Sequence, residues 1–289
     1  MIWATTIAAA LCLIAGLPAF RRAALHAEAV RPNFVGEPVP IAAGIVVVGT
    51  ASLILATLSD WPRLAAPSYS LWIIALVLFG TLGLIDDWLG DSRARGIRGH
   101  LRALVQERRI TTGLVKAVGG LAAALWIARQ FVPPSAAVWV LNSLLIALSA
   151  NVINLLDVRP GRATAAFIGM ACFTGVAVWL LCPTQLGRLL PLAVLAVPAL
   201  LEWFYDRKAL LMLGDVGSNS LGAAIGIGFL TLPVSVRIAA VLVLLTVHVL
   251  AERYSLSALI DRYSALRRLD ELTGVRLSRA NAPAADSER

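Results

Sequence analysis

Residues 81–90, TLGLIDDWLG, decide the fold of this chain, because they join a long apolar run to two adjacent acids. The run predicts a helix from about Tyr69 to Ile85, and it leads directly into Asp86 and Asp87. Two like charges about 4 Å apart repel by about 4 kcal/mol at an effective dielectric constant of about 20, so the pair requires water or a cation. A solvated helix end and a divalent-metal site facing phosphate both meet this requirement.

The composition predicts a membrane protein. Of the 289 residues, 59% are hydrophobic and only 15% are charged, and the mean hydropathy is +0.81. Apolar runs of about 17–22 residues recur along the chain, and such runs can cross a hydrocarbon core of about 30 Å. We therefore predict an all-α, polytopic integral membrane protein. Its parts are a transmembrane domain (1–252), a basic cytoplasmic tail with an amphipathic pattern (253–279) and a disordered terminus (280–289).

Nine apolar runs predict about nine transmembrane helices, and the basic residues predict their orientation. Of the 25 Lys and Arg residues, 21 fall on one set of connections and the tail, and 4 fall on the other set. Because basic residues gather on the cytoplasmic side, the N-terminus is predicted outside and the C-terminus inside the plasma membrane. The net charge of +8 is therefore assigned to topology rather than to nucleic acid binding. The runs lie at about 2–20, 39–58, 69–85, 113–132, 136–156, 163–182, 189–205, 217–232 and 235–251.

Residues 151–157, NVINLLD, end the fifth predicted span with two amides and an acid. Asn151, Asn154 and Asp157 are three residues apart, which places them on neighbouring parts of one helical face. Such a group can coordinate a cation or bind a polar ligand, but Asn also forms hydrogen bonds between membrane helices. Both interpretations stay open on these residues alone.

Residues 213–218, LGDVGS, begin the eighth predicted span on the same side of the membrane. Gly214 lets the backbone beside Asp215 approach a ligand closely. Ser218 lies where the new helix starts, and the N–H groups there favour anions. An ordinary helix N-cap by Asp215 or Ser218 explains the pattern too, and it does not exclude metal binding.

Three acid-rich helix ends are thus predicted at one membrane face. No charge is predicted in the middle of a span, which disfavours a transporter or channel. In this order DDWLG (86–90), NVINLLD (151–157) and LGDVGS (213–218) resemble three signature motifs of one enzyme family. It is the polyprenyl-phosphate N-acetylhexosamine-1-phosphate transferases, glycosyltransferase family 4. The resemblance covers about residues 30–250 and identifies the chain as a divergent member.

The resemblance implies a membrane phosphotransferase. It implies Mg²⁺-dependent transfer of an N-acetylhexosamine-type sugar-1-phosphate from a UDP-sugar to polyprenyl (undecaprenyl) phosphate, with release of UMP. Mn²⁺ is an alternative cofactor. The product would serve a cell-envelope polymer such as peptidoglycan, and the active face would be cytoplasmic. The implied partners are the lipid, the UDP-linked amino sugar and the membrane, with no nucleic acid. A homodimer and a covalent enzyme intermediate both stay open.

Roles for individual residues follow from the same resemblance, except that Arg253 is proposed from its position at the mouth of the ninth predicted span. The catalytic residues would be Asp86, Asp87 and Asp157. The metal would be held by Asn154, Asp215 and Asp87. The substrates would be bound by Lys116, Asn151, Gly214, Ser218 and Arg253.

Departures from the family motivate an alternative. Val158 follows Asp157 where bacterial relatives usually have Gly, and the His-rich segment and final span of many relatives are absent. His248 is interpreted as a core residue of the ninth predicted span. The alternative is a non-catalytic relative that binds polyprenyl phosphate or scaffolds envelope enzymes. The arginines of the 253–279 tail would either replace lost substrate contacts or adhere to anionic lipid.

Overall fold

The computed structural model of this protein describes residues 2–33, 36–59, 68–90 and 96–275. The helices of these residues are α1 (Ile2–Leu11), α2 (Leu17–His26), α3 (Gly44–Ser59), α4 (Ser68–Leu89), α5 (Gly96–Val105), α6 (Thr112–Gln130), α7 (Ala136–Leu156), α8 (Arg162–Leu181), α9 (Leu190–Asp206), α10 (Gly214–Phe229), α11 (Val234–Arg253), α12 (Leu256–Arg262) and α13 (Ser264–Thr273). A π-helical turn (Cys12–Gly16) joins α1 to α2, and a 3-10 turn (Pro183–Leu189) leads into α9.

The all-α, polytopic class is confirmed. Two of the nine predicted spans contain α3 and α10, but each of these helices has only 16 residues, and a span needs about 20. The count of nine and the orientation of the termini therefore stay predictions. The helical segments of the described chain that are long and apolar enough to cross a membrane are Ile7–His26, Tyr69–Leu89, Thr112–Gln130, Ala136–Leu156, Arg162–Leu181, Pro183–Asp206 and Val234–Arg253.

Helix α10 lies at the centre of the bundle. Every residue of this helix except Asp215 is buried, and α10 packs against α3, α4, α7, α8 and α9. Its sequence, GDVGSNSLGAAIGIGF, is dominated by small residues, which let membrane helices approach closely. The central position fixes where Asp215, at the start of this helix, can lie.

A small β-ribbon that the sequence analysis did not predict holds the entry to α10. Strands β1 (Val30–Pro32) and β2 (Pro38–Pro40) pair antiparallel. The N–H of Met212 donates to the carbonyl of Pro40 at 2.8 Å. Nη2 of Arg31 donates to the carbonyl of Asp87 at 2.6 Å. The ribbon therefore ties the segment before α10 to the end of α4.

The predicted basic tail forms two helices as far as the structure describes it. α12 and α13 follow α11 directly, and Asp270 on α13 is buried. The end of the predicted basic tail (276–279) and the predicted disordered terminus (280–289) lie outside the described residues. The order or disorder of that terminus stays a prediction.

We expect Gly222→Leu to destabilise the protein, because α10 meets the backbone of α7 there. A Cβ at Gly222 would lie 2.4 Å from the carbonyl oxygen of Ser149 and 2.5 Å from Cα of Ala150. Backbone atoms cannot rotate away, so overpacking should cost about 2 kcal/mol or more. Thermal denaturation of the protein in detergent measures the fall in Tm.

Gly169→Leu in α8 is the matched control. An added Cβ at Gly169 meets no atom within 4 Å, so this variant should keep or raise Tm, since Leu favours a helix more than Gly. Equal Tm values for the two leucine variants would contradict the close packing of α10 on α7.

Candidate active site

The structure brings the three acid-rich helix ends together around Lys116, near the start of α6. Nζ of Lys116 donates to Oδ2 of Asp86 at 2.6 Å and also pairs with Oδ2 of Asp215. Nδ2 of Asn154 donates to Oδ1 of Asp215 at 2.7 Å. The ends of α4 and α7 and the start of α10 therefore meet at one point, whereas the sequence predicted only that they share one membrane face.

The Lys116 contacts are half-buried. The side chains of Lys116 and Asp86 are 18% exposed and that of Asp215 is 25% exposed. One ammonium group between two carboxylates offsets the repulsion that the carboxylates would otherwise exert on each other. If Asp215 binds a metal, its carboxylate therefore also contacts the ammonium group of Lys116.

Asp87, the neighbour of Asp86 in sequence, caps α10. Its side chain is only 6% exposed. Oδ1 accepts the N–H of Asp215 at 3.0 Å, and Oδ2 accepts the N–H of Val216 at 3.1 Å. The first N–H groups of a helix have no intrahelical partner, and a negative charge at this end is favourable. This capping role was not foreseen, and the catalytic and metal roles of Asp87 stay predictions.

Gly214 makes this contact sterically possible. Its φ is +75°, and an added Cβ would lie 2.8 Å from Oδ2 of Asp87 and 2.9 Å from the N atom of Ala42. A residue with a side chain would be strained in this conformation and would displace Asp87. The structure therefore requires glycine at position 214, whether or not this residue binds substrate.

Ser218 and Asn151 contact other side chains of the protein. Ser218 is completely buried and its Oγ lies 3.1 Å from Nδ2 of Asn154, which donates to it. Nδ2 of Asn151 lies 2.8 Å from Nε2 of His248. Ser218 therefore orients Asn154, and Asn151 joins α7 to α11.

The interpretation of His248 as a core residue is wrong. His248 is half-buried and lines a cavity. Its Nδ1 lies 2.7 Å from the carbonyl oxygen of Leu244, which only accepts hydrogen bonds. Nδ1 therefore carries the proton and Nε2 accepts from Asn151. No motif marks His248, and only the packing of α11 against α7 brings it to the site.

One cavity of about 440 Å³, which we call the lipid-side cavity, runs from this polar cluster between α4, α6 and α7. Its apolar lining includes Phe79, Leu82, Leu121 and Leu148. Its polar lining comprises Asp86, His100, Thr112, Lys116, Asn151, Asn154, Asn219, His248 and Glu252. A cavity lined by both polar and apolar side chains suits an amphiphilic molecule.

A second cavity of about 360 Å³, which we call the acidic cavity, lies beside the start of α10. Four carboxylates line it, those of Asp87, Asp157, Asp206 and Asp215. Asp206 was missed by the sequence analysis. It is buried at the end of α9 and accepts the N–H of Gly161 at 2.7 Å.

Asp157 follows α7, outside the candidate membrane spans. Burial, and then the neighbouring carboxylates of Asp206, Asp215 and Asp87, raise the pKa of Asp157 well above its usual value. A cation entering the acidic cavity would oppose this shift, because it favours the charged carboxylate.

The residues predicted to hold a metal carry oxygen atoms of the kind that magnesium prefers. Within the described residues, no group of three or more His, Cys, Asp and Glu side chains is arranged to hold a metal. Mg²⁺ is usually bound by one or two carboxylates together with substrate phosphates. Asp215, Asp87 and Asn154 supply the oxygen donors that suit Mg²⁺ or Mn²⁺.

One of the predicted spans contains a buried acid. Glu202 lies one helical turn from the end of the Pro183–Asp206 segment and is completely buried. Its Oε2 accepts from Oγ1 of Thr164 at 2.8 Å, so the predicted spans are not free of acids.

Arg253 is exposed at the end of α11, next to Glu252, which lines the lipid-side cavity. Its substrate role stays a prediction.

We expect Lys116→Met to lower the stability of the protein, because Asp86 and Asp215 would lose their shared cation. Removing one partner of a half-buried ion pair leaves uncompensated charge and should cost up to about 3 kcal/mol. The fall in Tm in detergent should shrink when Mg²⁺ is added, since a divalent ion can screen the same carboxylates.

Lys208, the second of the two lysines in the chain, supplies the control. It is exposed, so Lys208→Met should leave Tm unchanged with or without Mg²⁺. A Lys116→Met protein as stable as the wild type would show that the two carboxylates do not depend on Lys116.

Comparison with known proteins extends these observations. A phospho-N-acetylmuramoyl-pentapeptide-transferase of Wolbachia sp. subsp. Drosophila simulans (strain wRi) is 30% identical over 204 residues, covering 65% of this chain and 59% of that protein. One of Solidesulfovibrio magneticus is 26% identical over 194 residues, covering 57% and 52%. One of Francisella tularensis subsp. holarctica (strain FTNF002-00 / FTA) is 26% identical over 223 residues, covering 68% and 60%.

The chain thus spans between about half and three fifths of the length of these relatives. The family model of glycosyl transferase family 4 matches residues 69–233. That match contains all three motifs and the residues around Lys116, and it covers more than half of the chain. This membrane protein therefore belongs to glycosyl transferase family 4.

Proposed function

We propose that this protein is a membrane phosphotransferase that moves the sugar-1-phosphate of a UDP-linked N-acetylhexosamine onto polyprenyl phosphate and releases UMP. The observation that carries the proposal is the polar cluster of Asp86, Lys116, Asn154 and Asp215. This cluster lies between the lipid-side cavity and the acidic cavity. The names of the relatives support the same class of reaction.

The lipid-side cavity suits polyprenyl phosphate, such as undecaprenyl phosphate. The apolar side chains of α4, α6 and α7 would bind the prenyl chain. Lys116, one of the polar residues that line this cavity, would pair with the lipid phosphate. A lysine ammonium is a compact charge that binds phosphate without fixed geometry. Asp86, in contact with Lys116, would hold that ammonium in place.

The acidic cavity suits the UDP-linked amino sugar. Its lining includes loop residues such as Val158 and Met212 as well as four carboxylates, and it lies at the ends of the candidate spans Tyr69–Leu89 and Pro183–Asp206. An anionic donor requires a cation among those carboxylates. Asp215 and Asn154, with Asp87, would hold Mg²⁺, which when bound neutralises the charge of the donor diphosphate.

The residues of the chain would then bring the two phosphates together. An oxygen of the lipid phosphate forms the new bond to the sugar-linked phosphorus, and the bond from that phosphorus to UMP breaks. Positioning contributes most in phosphoryl transfer, because little covalent chemistry is left to the protein. Asp157 would orient the donor, and the adjacent residues Asp86 and Asp87, which line the lipid-side and the acidic cavity respectively, would position the lipid phosphate beside it.

The proposal includes location and biological role. The chain would lie in the plasma membrane with nine spans and its active face towards the cytoplasm, and its product would enter cell-envelope biosynthesis. A second candidate is a non-catalytic relative that binds polyprenyl phosphate or scaffolds envelope enzymes. It is favoured by Val158 after Asp157 and by the arrangement of Lys116, whose ammonium group already pairs with two carboxylates.

We expect purified protein to transfer labelled sugar-phosphate to undecaprenyl phosphate from at least one member of a panel of UDP-sugars. EDTA should stop the transfer, and added Mg²⁺ should restore it, because the carboxylates alone repel the donor. Thin-layer chromatography of the labelled lipid measures the product. Lipid binding without any turnover would favour the second candidate, and EDTA-resistant transfer would contradict the metal role.

Asp215→Asn keeps the shape of the side chain and should lower transfer at least about a hundredfold, because it removes a metal-binding charge. Glu107→Gln is the control, since Glu107 is an exposed acid outside the site, and it should transfer like the wild type. Normal activity of Asp215→Asn would remove Asp215 from the chemistry.

We expect a reporter fused after Arg289 to be cytoplasmic and one fused at Met1 to be external. This prediction rests on the basic residues, of which 21 lie on the predicted cytoplasmic side and 4 on the predicted outer side. Alkaline phosphatase and green fluorescent protein fusions measure the two sides independently. An external C-terminus would contradict nine spans and the proposed cytoplasmic active face.

A further inference from the structure

A buried ion pair outside the polar cluster anchors the C-terminal helices. Arg162 is the first residue of α8, Asp270 lies on α13, and their side chains are only 4% and 6% exposed. Nε of Arg162 donates to Oδ1 of Asp270 at 2.6 Å, and Nη2 donates to Oδ2 at 2.9 Å. Nη1 donates to Oγ of Ser257 on α12 at 2.9 Å. One arginine therefore holds both C-terminal helices.

Stability alone does not account for this pair. Burying two charges removes their hydration, and apolar residues of similar volume are often as stable at such positions. A bidentate contact between arginine and carboxylate, however, fixes both direction and distance. Its distinctive effect is to set where α13 lies relative to α8.

The C-terminal helices contact the segments that form one side of the acidic cavity. Nε1 of Trp203 donates to the carbonyl of Thr273 at 2.9 Å. The N–H of Val275 donates to the carbonyl of Arg207 at 2.8 Å. Trp203 and Arg207 flank the cavity residue Asp206 in sequence. The C-terminal chain thus lies against the end of α9.

The loop between α7 and α8 connects the ion pair to the cavity. Residues 157–161 form turns rather than regular helix, and Asp157, Val158 and Arg159 line the acidic cavity. Nη2 of Arg159 lies 3.6 Å from Oδ2 of Asp261 on α12. Because the loop has no helical hydrogen-bond ladder, its position depends on the contacts at its ends.

We propose that Arg162 and Asp270 are positioning residues that hold the 157–161 loop in place for the nucleotide part of the donor. The pair fixes the end of the loop at Arg162, one residue after Gly161, whose N–H binds Asp206. The loop then presents Asp157 and Val158 to the acidic cavity. The donor part of this inference rests on the proposed function, whereas the positioning of the loop does not.

Asp270→Asn tests the proposal, because it removes the charge and keeps the size of the side chain. Amide hydrogens of residues 157–162 should exchange with deuterium about tenfold faster in the full-length variant, because the loop loses its anchor. UMP, the part shared by all UDP-sugars, should bind about tenfold more weakly in the presence of Mg²⁺. Unchanged exchange in this loop would overturn the proposal.

A double variant keeps the test decisive if Asp270→Asn does not fold. Arg162→Met with Asp270→Leu removes both charges and should retain a Tm close to that of the wild type. Its UMP binding should nevertheless stay about tenfold weaker, because the bidentate geometry is lost. Recovery of both Tm and UMP affinity would mean a structural role alone and would overturn the proposal.

Kinetics separate the donor side from the lipid side. With the UDP-sugar that the wild type uses, Asp270→Asn should raise KM for the donor about tenfold and leave KM for undecaprenyl phosphate unchanged. An equal rise in both KM values would overturn the proposal. Glu271→Gln, at the exposed neighbouring position on α13, is the control and should behave like the wild type.

The two proposals can fail separately. If the wild-type chain transfers no sugar-phosphate from any UDP-sugar, the proposed function fails. The deuterium exchange of residues 157–162 would then still decide whether Arg162 and Asp270 hold the loop.

Discussion

The ammonium group of Lys116, held between the carboxylates of Asp86 and Asp215, is the interaction on which the rest of the site depends. These three residues come from α6, α4 and α10, so the ion pairs join three helices at one end of the bundle. The other oxygen of Asp215 is bound by Asn154 of α7. Charges that would repel one another in a half-buried position are thereby balanced by partners from different helices.

Adjacent acids in the sequence serve different sides of the site. Successive residues of a helix point about 100° apart, and here Asp86 lines the lipid-side cavity whereas Asp87 lines the acidic cavity. Each has its own partner, since Lys116 binds Asp86 and the N-terminus of α10 binds Asp87. These partners offset part of the repulsion between the two carboxylates, and the polar cluster lies between the lipid-side cavity and the acidic cavity.

Residues outside the family match complete the surroundings of the site. The match ends at residue 233, yet His248 on α11 contacts Asn151, and Glu252 lines the same cavity. Further along, α12 contacts the loop that follows Asp157, and α13 contacts the first residue of α8. The ribbon before residue 69 holds the entry to α10 through Pro40 and Met212. The motifs thus form the centre, and segments of the chain before and after the match support it.

The sequence by itself determined the membrane class, most helix positions and the placement of the three motifs at a common end of the helices. Long apolar runs must form helices in a bilayer, and acids at their ends must stay near water. Only the tertiary structure decided the partners. His248, Asp206, Arg162 and Asp270 carry no local signal, because their contacts are 45 to 108 residues away along the chain. Contacts at that distance depend on how helices pack, and helix packing is set by shape across the whole bundle rather than by any one stretch of sequence.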